Sequence, residues 1–452
     1  MSRQSNRREF IQTSAVIGAG YFAAAGLQAQ ESKSPNEKIN FACIGIGGKG
    51  QSDSDDAARS GNIVAVCDID ENTLDKSKSR KGFEEAKRYF DFRKMLEEMD
   101  KSIDAVTVST PDHCHAVAAA MAMKMGKHCF AQKPLTHSIY EARTLGQIAK
   151  EKNVATQMGN QGTATSSLRK AAAVIQSGAL GKIVACHVWT NRPVWPQGLD
   201  RPTEADPVPS HIHWNEFLGP APERPFKAGV YHPFKWRGWW DFGTGALGDM
   251  ACHTVNMPFM ALDLRDPVSV QATSSGHNKE TYPSWSIINF DFPANEKRGA
   301  VNFMWYDGQK LPSIDLFKGI ALKDNKIQSS GCLVIGDKAS LYAPGDYAEK
   351  GLILTNDMEE PDVEYKKSPG HFEEFVRAVK GGEPAVSNFP NYAGPLSETI
   401  LLGNLAVWAA EKAEDGKAVG KKIEWDAKNL VAKNAPEVAH IVKNDYRKGY
   451  TL

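Results

Sequence analysis

Five short stretches of this sequence carry residues whose types and spacing suit chemistry. Gly45-Ile46-Gly47-Gly48-Lys49-Gly50 is a G-x-G-x-x-G run, and Asp68 follows Gly50 by 18 residues. Thr110-Pro111-Asp112-His113-Cys114-His115 and Gln132-Lys133-Pro134 each close an apolar run. Asp249 and His253 stand four apart in an apolar stretch, so on a helix they share one face. The glycines of the first run serve different ends. Gly45 permits a tight turn, Gly47 lets backbone approach a pyrophosphate, and Gly50 lets a helix pack closely on a strand. The following helix N-terminus offers free N–H groups to phosphates. Asp68 suits a pair of ribose hydroxyls and repels a 2′-phosphate, which favours NAD over NADP. Histidine is a natural proton acceptor near neutral pH, a lysine ammonium can hydrogen-bond a developing alkoxide, and an aspartate can grip hydroxyls or orient the histidine.

The elements that must position these groups follow from apolar patterning. Strands are expected at 39–44, 63–67, 103–109, 128–131 and 154–158, alternating with helices at 51–60, 116–125 and 139–152. That rhythm predicts a parallel, doubly wound sheet, which binds ligands at the carboxyl ends of its strands. The glycine run, Asp68, Pro111–His115 and Lys133 all fall at such ends. The second half differs. A helix at 167–177 and a strand at 183–189 precede a long irregular stretch, 191–235, with nine prolines. Six of the ten tryptophans lie between Trp189 and Trp240. An apolar helix is expected from about Gly248 to Leu262. Segments 267–275, 282–292, 299–306, 332–336 and 339–343 read as strands of an open, mostly antiparallel sheet, and 371–380 and 395–413 as helices. The fold class is therefore α/β, an N-terminal dinucleotide-binding domain over 30–158 and a second α/β domain over 159–425, with a C-terminal extension over 426–452.

Composition narrows the partners. The 452 residues hold 54 basic and 54 acidic side chains, so no basic surplus exists to neutralise nucleic-acid phosphates. The seven cysteines are scattered without a C-x-x-C pair, which argues against a disulfide framework or a cysteine zinc site. Arg7-Arg8-Glu9-Phe10 and the uncharged stretch from Thr13 to Leu27 resemble a Tat export signal over residues 1–29. The expectation is an exported, periplasmic protein with no membrane attachment once that segment is removed.

Taken together, the glycine run, the Thr-Pro-x-x-x-His turn, the x-Lys-Pro strand end and the Asp-x-x-x-His helix resemble the glucose–fructose oxidoreductase / inositol dehydrogenase (Gfo/Idh/MocA) family over about residues 37–425. The resemblance implies a nicotinamide cofactor, sugar or polyol substrates and a homo-oligomer. It implies that Lys133, Asp249 and His253 are catalytic and touch substrate, and that Gly45, Gly47, Gly48, Gly50, Asp68, Thr110, Pro111, His115 and Lys133 hold the cofactor. Gln132 stands where that family has glutamate. It keeps a hydrogen-bonding side chain but removes a negative charge beside Lys133.

Plainer readings of the same residues stand beside these. Lys133 can be a surface lysine, His253 a buried helix histidine, and Asp249 a helix cap. Asp112, His113 and His115 read better as polar groups of a turn than as metal ligands, so no metal is expected. Trp195, Trp236, Trp239 and Trp240 offer flat faces to a sugar, Trp240 above all, yet core packing is the commoner fate of a tryptophan. The expected activity is NAD-dependent oxidation of a carbohydrate hydroxyl. A redox-assisted glycosidase, a non-catalytic carbohydrate-binding scaffold and a metal-dependent isomerase or hydrolase are the alternatives.

Overall fold

The computed structural model describes residues 38–410 and 415–452. The export segment at 1–29 lies outside the described residues. Two sheets organise the chain, and the cleft lies along the end of the first.

The first sheet holds β1 (Ile39–Ile44), β2 (Gly61–Cys67), β3 (Lys87–Tyr89), β4 (Ala105–Val108), β5 (His128–Ala131) and β6 (Thr156–Met158), all parallel, in the order β3-β2-β1-β4-β5-β6. That is a doubly wound nucleotide-binding topology, whose order reverses between β1 and β4. Both faces are covered, so β1 and β4 are buried almost throughout rather than at alternate positions. The covering helices are α1 (Lys49–Ser60), α2 (Glu71–Ser77), α3 (Phe92–Met99), α4 (Asp112–Lys124) and α5 (Ile139–Lys152). α5 starts where its sequence says it should: Ser138 accepts from the Glu141 N–H while the Glu141 carboxylate accepts from the Ser138 N–H. Asn153 ends it in the left-handed conformation. α4 begins earlier than apolar patterning suggests, so His113 and His115 sit in its first turns rather than in a loop.

After α6 (Ser166–Gln176) the chain enters the second sheet at β7 (Ile183–Trp189). The long connection then contains one short helix, α7 (Trp214–Leu218). The helix expected from Gly248 starts at Gly245 and is two helices, α8 (Gly245–Thr254) and α9 (Asn256–Leu262). β8 (Ser269–Ser274), β9 (Ser286–Phe292), β10 (Val301–Tyr306), β11 (Gly331–Gly336), β12 (Ser340–Pro344) and β13 (Ile353–Leu354) follow. Then come α10 (His371–Val379), α11 (Gly394–Trp408), β14 (Ala418–Val419), β15 (Ile423–Asp426), β16 (Val431–Ala432) and α12 (Ala439–Val442).

The second sheet runs β13-β12-β11-β7-β10-β9-β8-β15-β16, with β14 also on β8. Only β7–β10 is parallel, so the sheet is mixed and mostly antiparallel. β9 alternates buried and half-buried positions, as a strand with one covered face should. α11 is apolar nearly all round because it is buried nearly all round, packed among α5, α8 and β8. The halves are laced together. Phe372 and Phe375 of α10 pack with Phe41 and Phe130 beneath the first sheet.

Candidate active site

The cleft begins at the turn after β1. Gly45 has φ +76°, and a side chain there would lie 2.7 Å from the Ser109 carbonyl oxygen. A Cβ on Gly50 would lie 2.0 Å from the Gly45 oxygen, so only glycine lets α1 start so close to the strand end. Gly48 faces open space. The turn is thus shaped to bring backbone against a ligand, and α1 opens with its N–H groups there. These features fit the pyrophosphate of a dinucleotide.

Asp68 at the end of β2 accepts from the Ile46 N–H (3.0 Å) and the Asp70 N–H (3.1 Å). Burial raises its carboxyl above the ordinary 3.8, and those two N–H groups oppose the rise. Asp68 and Asp70 line the cleft together with Phe90 and Asp91, which follow β3. Three carboxylates, Asp68, Asp70 and Asp91, thus stand at that edge.

The other end is built from distant segments. Lys133, after β5, donates through Nζ to the Asp249 backbone oxygen (2.8 Å) and Oδ1 (3.0 Å). Arg237 Nε donates to the same Oδ1 at 3.4 Å. Burial acts to raise the Asp249 carboxyl, but Lys133 and then Arg237 outweigh it, and its pKa falls below 3.8. His253, one turn along α8, is buried, and its Nδ1 has no hydrogen-bond partner. Desolvation, then the Lys133 charge, holds its pKa well below 6.5 despite Asp249. The imidazole is therefore neutral at pH 7, with Tyr347 edge-on at 5.1 Å.

The start of α8 is tied down from both halves. Thr244 Oγ1 donates to Asp112 (2.6 Å), Asn404 Nδ2 to the Thr244 oxygen (2.9 Å), and Tyr282 Oη to the Gly243 oxygen (3.0 Å). Gln132 does not contact Asp249. Its Nε2 donates to the buried Asp53 at 2.9 Å, and its Oε1 accepts from the Lys133 N–H at 3.3 Å. Asp53 also accepts from Ser109 Oγ at 2.8 Å and pairs with Lys49 of the glycine turn. A carboxylate beside Lys133 is present after all, supplied by Asp249 on the second domain.

One cavity of about 650 Å³ joins both ends. Gly45, Gly47, Gly48, Asp68, Thr110, Pro111, Lys133, Asp249 and His253 line it. Gly50, His115 and Trp240 do not. Gly50 packs behind the turn. His115 lies behind the wall, its ring nitrogens 2.8 Å from the oxygens of Pro134 and Thr110, so it braces both strand ends. His113 is likewise internal, between the oxygens of Phe217 and Phe242, and desolvation lowers its pKa to about 3. Trp240 stacks on Tyr282 at 3.7 Å and lines a separate cavity of about 280 Å³. Trp236 reaches the cleft, with Phe234 and Arg237, whereas Trp239 is buried among Tyr231 and Phe242. Among the described residues no group of three or more His, Cys, Asp or Glu could hold a metal ion. The sequence reading missed Lys49, Asp53, Asp70, Arg237 and Tyr450. Only the glycine run's own lysine had a local signal.

Known proteins of similar sequence and fold share this architecture. A family model described as an oxidoreductase family with an NAD-binding Rossmann fold matches residues 13–160, and the C-terminal alpha/beta domain of the same family matches 164–297. A levoglucosan dehydrogenase of Pseudarthrobacter phenanthrenivorans is 28% identical over 178 residues, 39% of this chain and 37% of its own length. A myo-inositol 2-dehydrogenase of Thermotoga maritima is 26% identical over 138 residues, 30% of this chain and 40% of its own. The chain thus spans well under half of either relative. A solved inositol dehydrogenase homolog from Azotobacter vinelandii, complexed with NADH and myo-inositol, superposes with TM-score 0.54 at 17% identity, covering 86% of this chain and 98% of that one. The WlbA dehydrogenase from Bordetella pertussis, in complex with NADH and UDP-GlcNAcA, gives 0.55 at 15% identity, covering 82% and 96%. At such identities the structures share the fold.

Proposed function

Because the chain belongs to the Gfo/Idh/MocA oxidoreductase family, we propose that it transfers hydride between a carbinol carbon of a sugar, polyol or glycoside and a nicotinamide cofactor, NAD rather than NADP. The observation that carries this reading is the shared cavity: the glycine turn and Asp68 at one end, Lys133, Asp249 and His253 at the other.

Bound NAD supplies the hydride acceptor. The protein must hold the alcohol, take its proton and steady the charge on its oxygen. His253 lines the cleft as a neutral imidazole that can take that proton, and the nearby Asp249 carboxylate stabilises the imidazolium that forms. Lys133 is anchored by Asp249 with its ammonium in the cleft, so it can donate to the developing alkoxide without reorganising. Gly45, Gly47, Gly48 and Lys49 receive the pyrophosphate, and Asp68 the adenosine ribose. Phe234 and Trp236 give the substrate end an aromatic wall suited to a sugar face. The proposal includes export through the Tat-like segment, with the cofactor carried out in the folded protein, and a homo-oligomer.

The test is made on mature protein from an export-competent host. Nucleotide released on denaturation is identified, and intact protein is mixed with sugars, polyols and glycosides while reduced nicotinamide is followed by absorbance. Bound NAD that becomes reduced with one substrate class is the expected result. Free sugar released from a glycoside without lasting reduction would replace the reading with the glycosidase. No nucleotide, and no binding on titration, would leave a scaffold. Fractionation that finds the chain in the cytoplasm would overturn the export part alone.

A further inference from the structure

The end of the chain returns to the cleft. Arg447 commits its guanidinium to α7: Nη1 donates to Asn215 Oδ1 (2.9 Å), Nη2 to the Asn215 oxygen (2.7 Å) and Nε to the Gly219 oxygen (3.1 Å). Its backbone N–H donates to the Pro220 oxygen at 3.0 Å. One residue earlier, Tyr446 Oη donates to Glu141 Oε1 at 2.5 Å, on α5 of the first domain. Three residues later, Tyr450 lies beneath the Arg93 guanidinium, 4.5 Å from its ring centroid, and Arg93 also donates to the Gly449 oxygen at 3.3 Å. Arg93 is itself held by both carboxylate oxygens of Asp91, at 2.9 and 2.8 Å. A tail fixed by this many donors is part of the wall it touches, not a loose end.

Of this segment Tyr450 reaches the cleft, whereas Tyr446 lines the separate 280 Å³ cavity and anchors the segment from there. Tyr450 is 8% exposed and lines the same cavity as the glycine turn and Asp68. Its neighbours there, Phe90 and Asp91, follow β3. In a doubly wound sheet β1–β3 form the half that receives one mononucleotide, and the half opening with the glycine turn and the β2 acid takes the adenosine. Phe90 stacks on His213 at 3.8 Å between ring centroids yet stays 38% exposed and lines the cavity, so this end carries free aromatic surface as a purine site needs.

We propose that Tyr450 contacts the adenosine half of the dinucleotide and that residues 446–450 form the strap that retains it. This rests on the dinucleotide reading above, and the ligand class is an adenosine diphosphate moiety. The strap gives an exported enzyme a means of holding its cofactor: the wall must shift before the adenosine leaves.

The experiment uses the full mature chain, stripped of nucleotide, with ADP-ribose and nicotinamide mononucleotide as separate probes and NAD release timed by stopped flow. Tyr450→Ala should weaken ADP-ribose binding roughly tenfold, the scale of a lost base–aromatic contact. It should speed NAD release by a similar factor and leave nicotinamide mononucleotide unchanged. Tyr450→Phe, which keeps the ring, should behave as wild type. Equal ADP-ribose affinity in wild type and Tyr450→Ala would overturn the proposal, and so would an equal loss for both probes, which marks general loosening. Should Tyr450→Ala fail to fold, Tyr450→Leu keeps bulk without the ring and is read by the same split. If wild type binds neither ADP-ribose nor NAD, the dinucleotide reading itself falls.

Discussion

The two ends of the cleft are built in opposite ways. The glycine end comes from one βαβ unit: Gly45, Lys49, Asp53 and Asp68 lie within 24 residues, and their contacts are mostly local. The lysine end brings together Lys133, Arg237, Asp249 and His253 across 121 residues and two domains. The first is held by close backbone packing, since Gly45 and Gly50 leave no room for a side chain. The second is held by ion pairs, Lys133 and Arg237 on one carboxylate, with a hydrogen bond from Thr244 to Asp112 beneath. Binding can therefore be specified locally, whereas chemistry depends on how two domains meet.

The largest break should come at the lysine. Lys133→Met removes the donor to the alkoxide and leaves Asp249 with Arg237 alone. Loss of one preorganised donor of this kind costs on the order of 10²–10³ in kcat. Steady-state kinetics should show kcat falling by that factor while NAD affinity stays within about threefold, since the glycine end is untouched. A parallel loss of NAD affinity would show that the two ends are one unit.

A second test moves the charge between them. In Gln132→Glu a second carboxylate would face Asp53 in place of a donated hydrogen bond, at a site where both side chains are buried. Thermal melting should register a loss of roughly 1–3 kcal/mol, the cost of an unsatisfied buried group. Adding Asp53→Asn returns a donor to the pair and should restore most of it. Failure of that rescue would mean Gln132 matters through Lys133, not through Asp53.

Acid should destabilise the fold around the cleft rather than either end of it, in a sign that follows from burial. Desolvation lowers His113 to about 3 and His371 and His187 to about 4. In the unfolded chain each titrates near 6.5. The folded state therefore has its full stability above that value and loses it as pH falls, at about 1.4 kcal/mol per pH unit for each histidine. Asp307, raised by burial to about 6, acts oppositely: its folded form binds a proton that the unfolded carboxyl releases above 3.8. It recovers part of the loss between pH 6 and 4. Urea midpoints at pH 7 and pH 5 should differ in that direction, and equal midpoints would sink the account.

How much of this was legible follows from the same contrast. β5, α5 and β7 begin and end where patterning puts them: β5 is buried apart from His128, α5 is capped at both ends, and β7 is a seven-residue run that ends in four buried positions. That the first sheet is parallel and doubly wound follows from the β–α alternation, whereas its strand order is read from the fold. β3 was not foreseen: Lys87-Arg88-Tyr89 is polar and sits at a sheet edge. Glycines, Asp68, Lys133 and the Asp249/His253 pair could be picked out because each lies in a short pattern with a mechanical reason. Arg237, Asp53 and Tyr450 could not, because what places them is a contact 12, 79 or 357 residues away, with Asp249, Gln132 and Arg93.

Trp240 gives the smallest expected effect and the sharpest boundary to the cleft. By type and neighbourhood it looks like a sugar platform. In the fold its face is taken by Tyr282, Trp408 stands edge-on at 4.9 Å, and its indole N–H donates to the Thr281 oxygen at 3.1 Å. A side chain whose face and donor are both engaged inside the protein has nothing left for a substrate. Trp240→Phe keeps most of the packing but strips the Thr281 carbonyl of its donor, at a cost of about 1–3 kcal/mol in stability. Under conditions where the variant is folded, kcat/KM on the substrate should remain within about twofold of wild type, against the hundredfold or greater loss expected for Lys133→Met. A larger fall would place the 280 Å³ cavity in the path of the substrate and redraw the boundary between site and core.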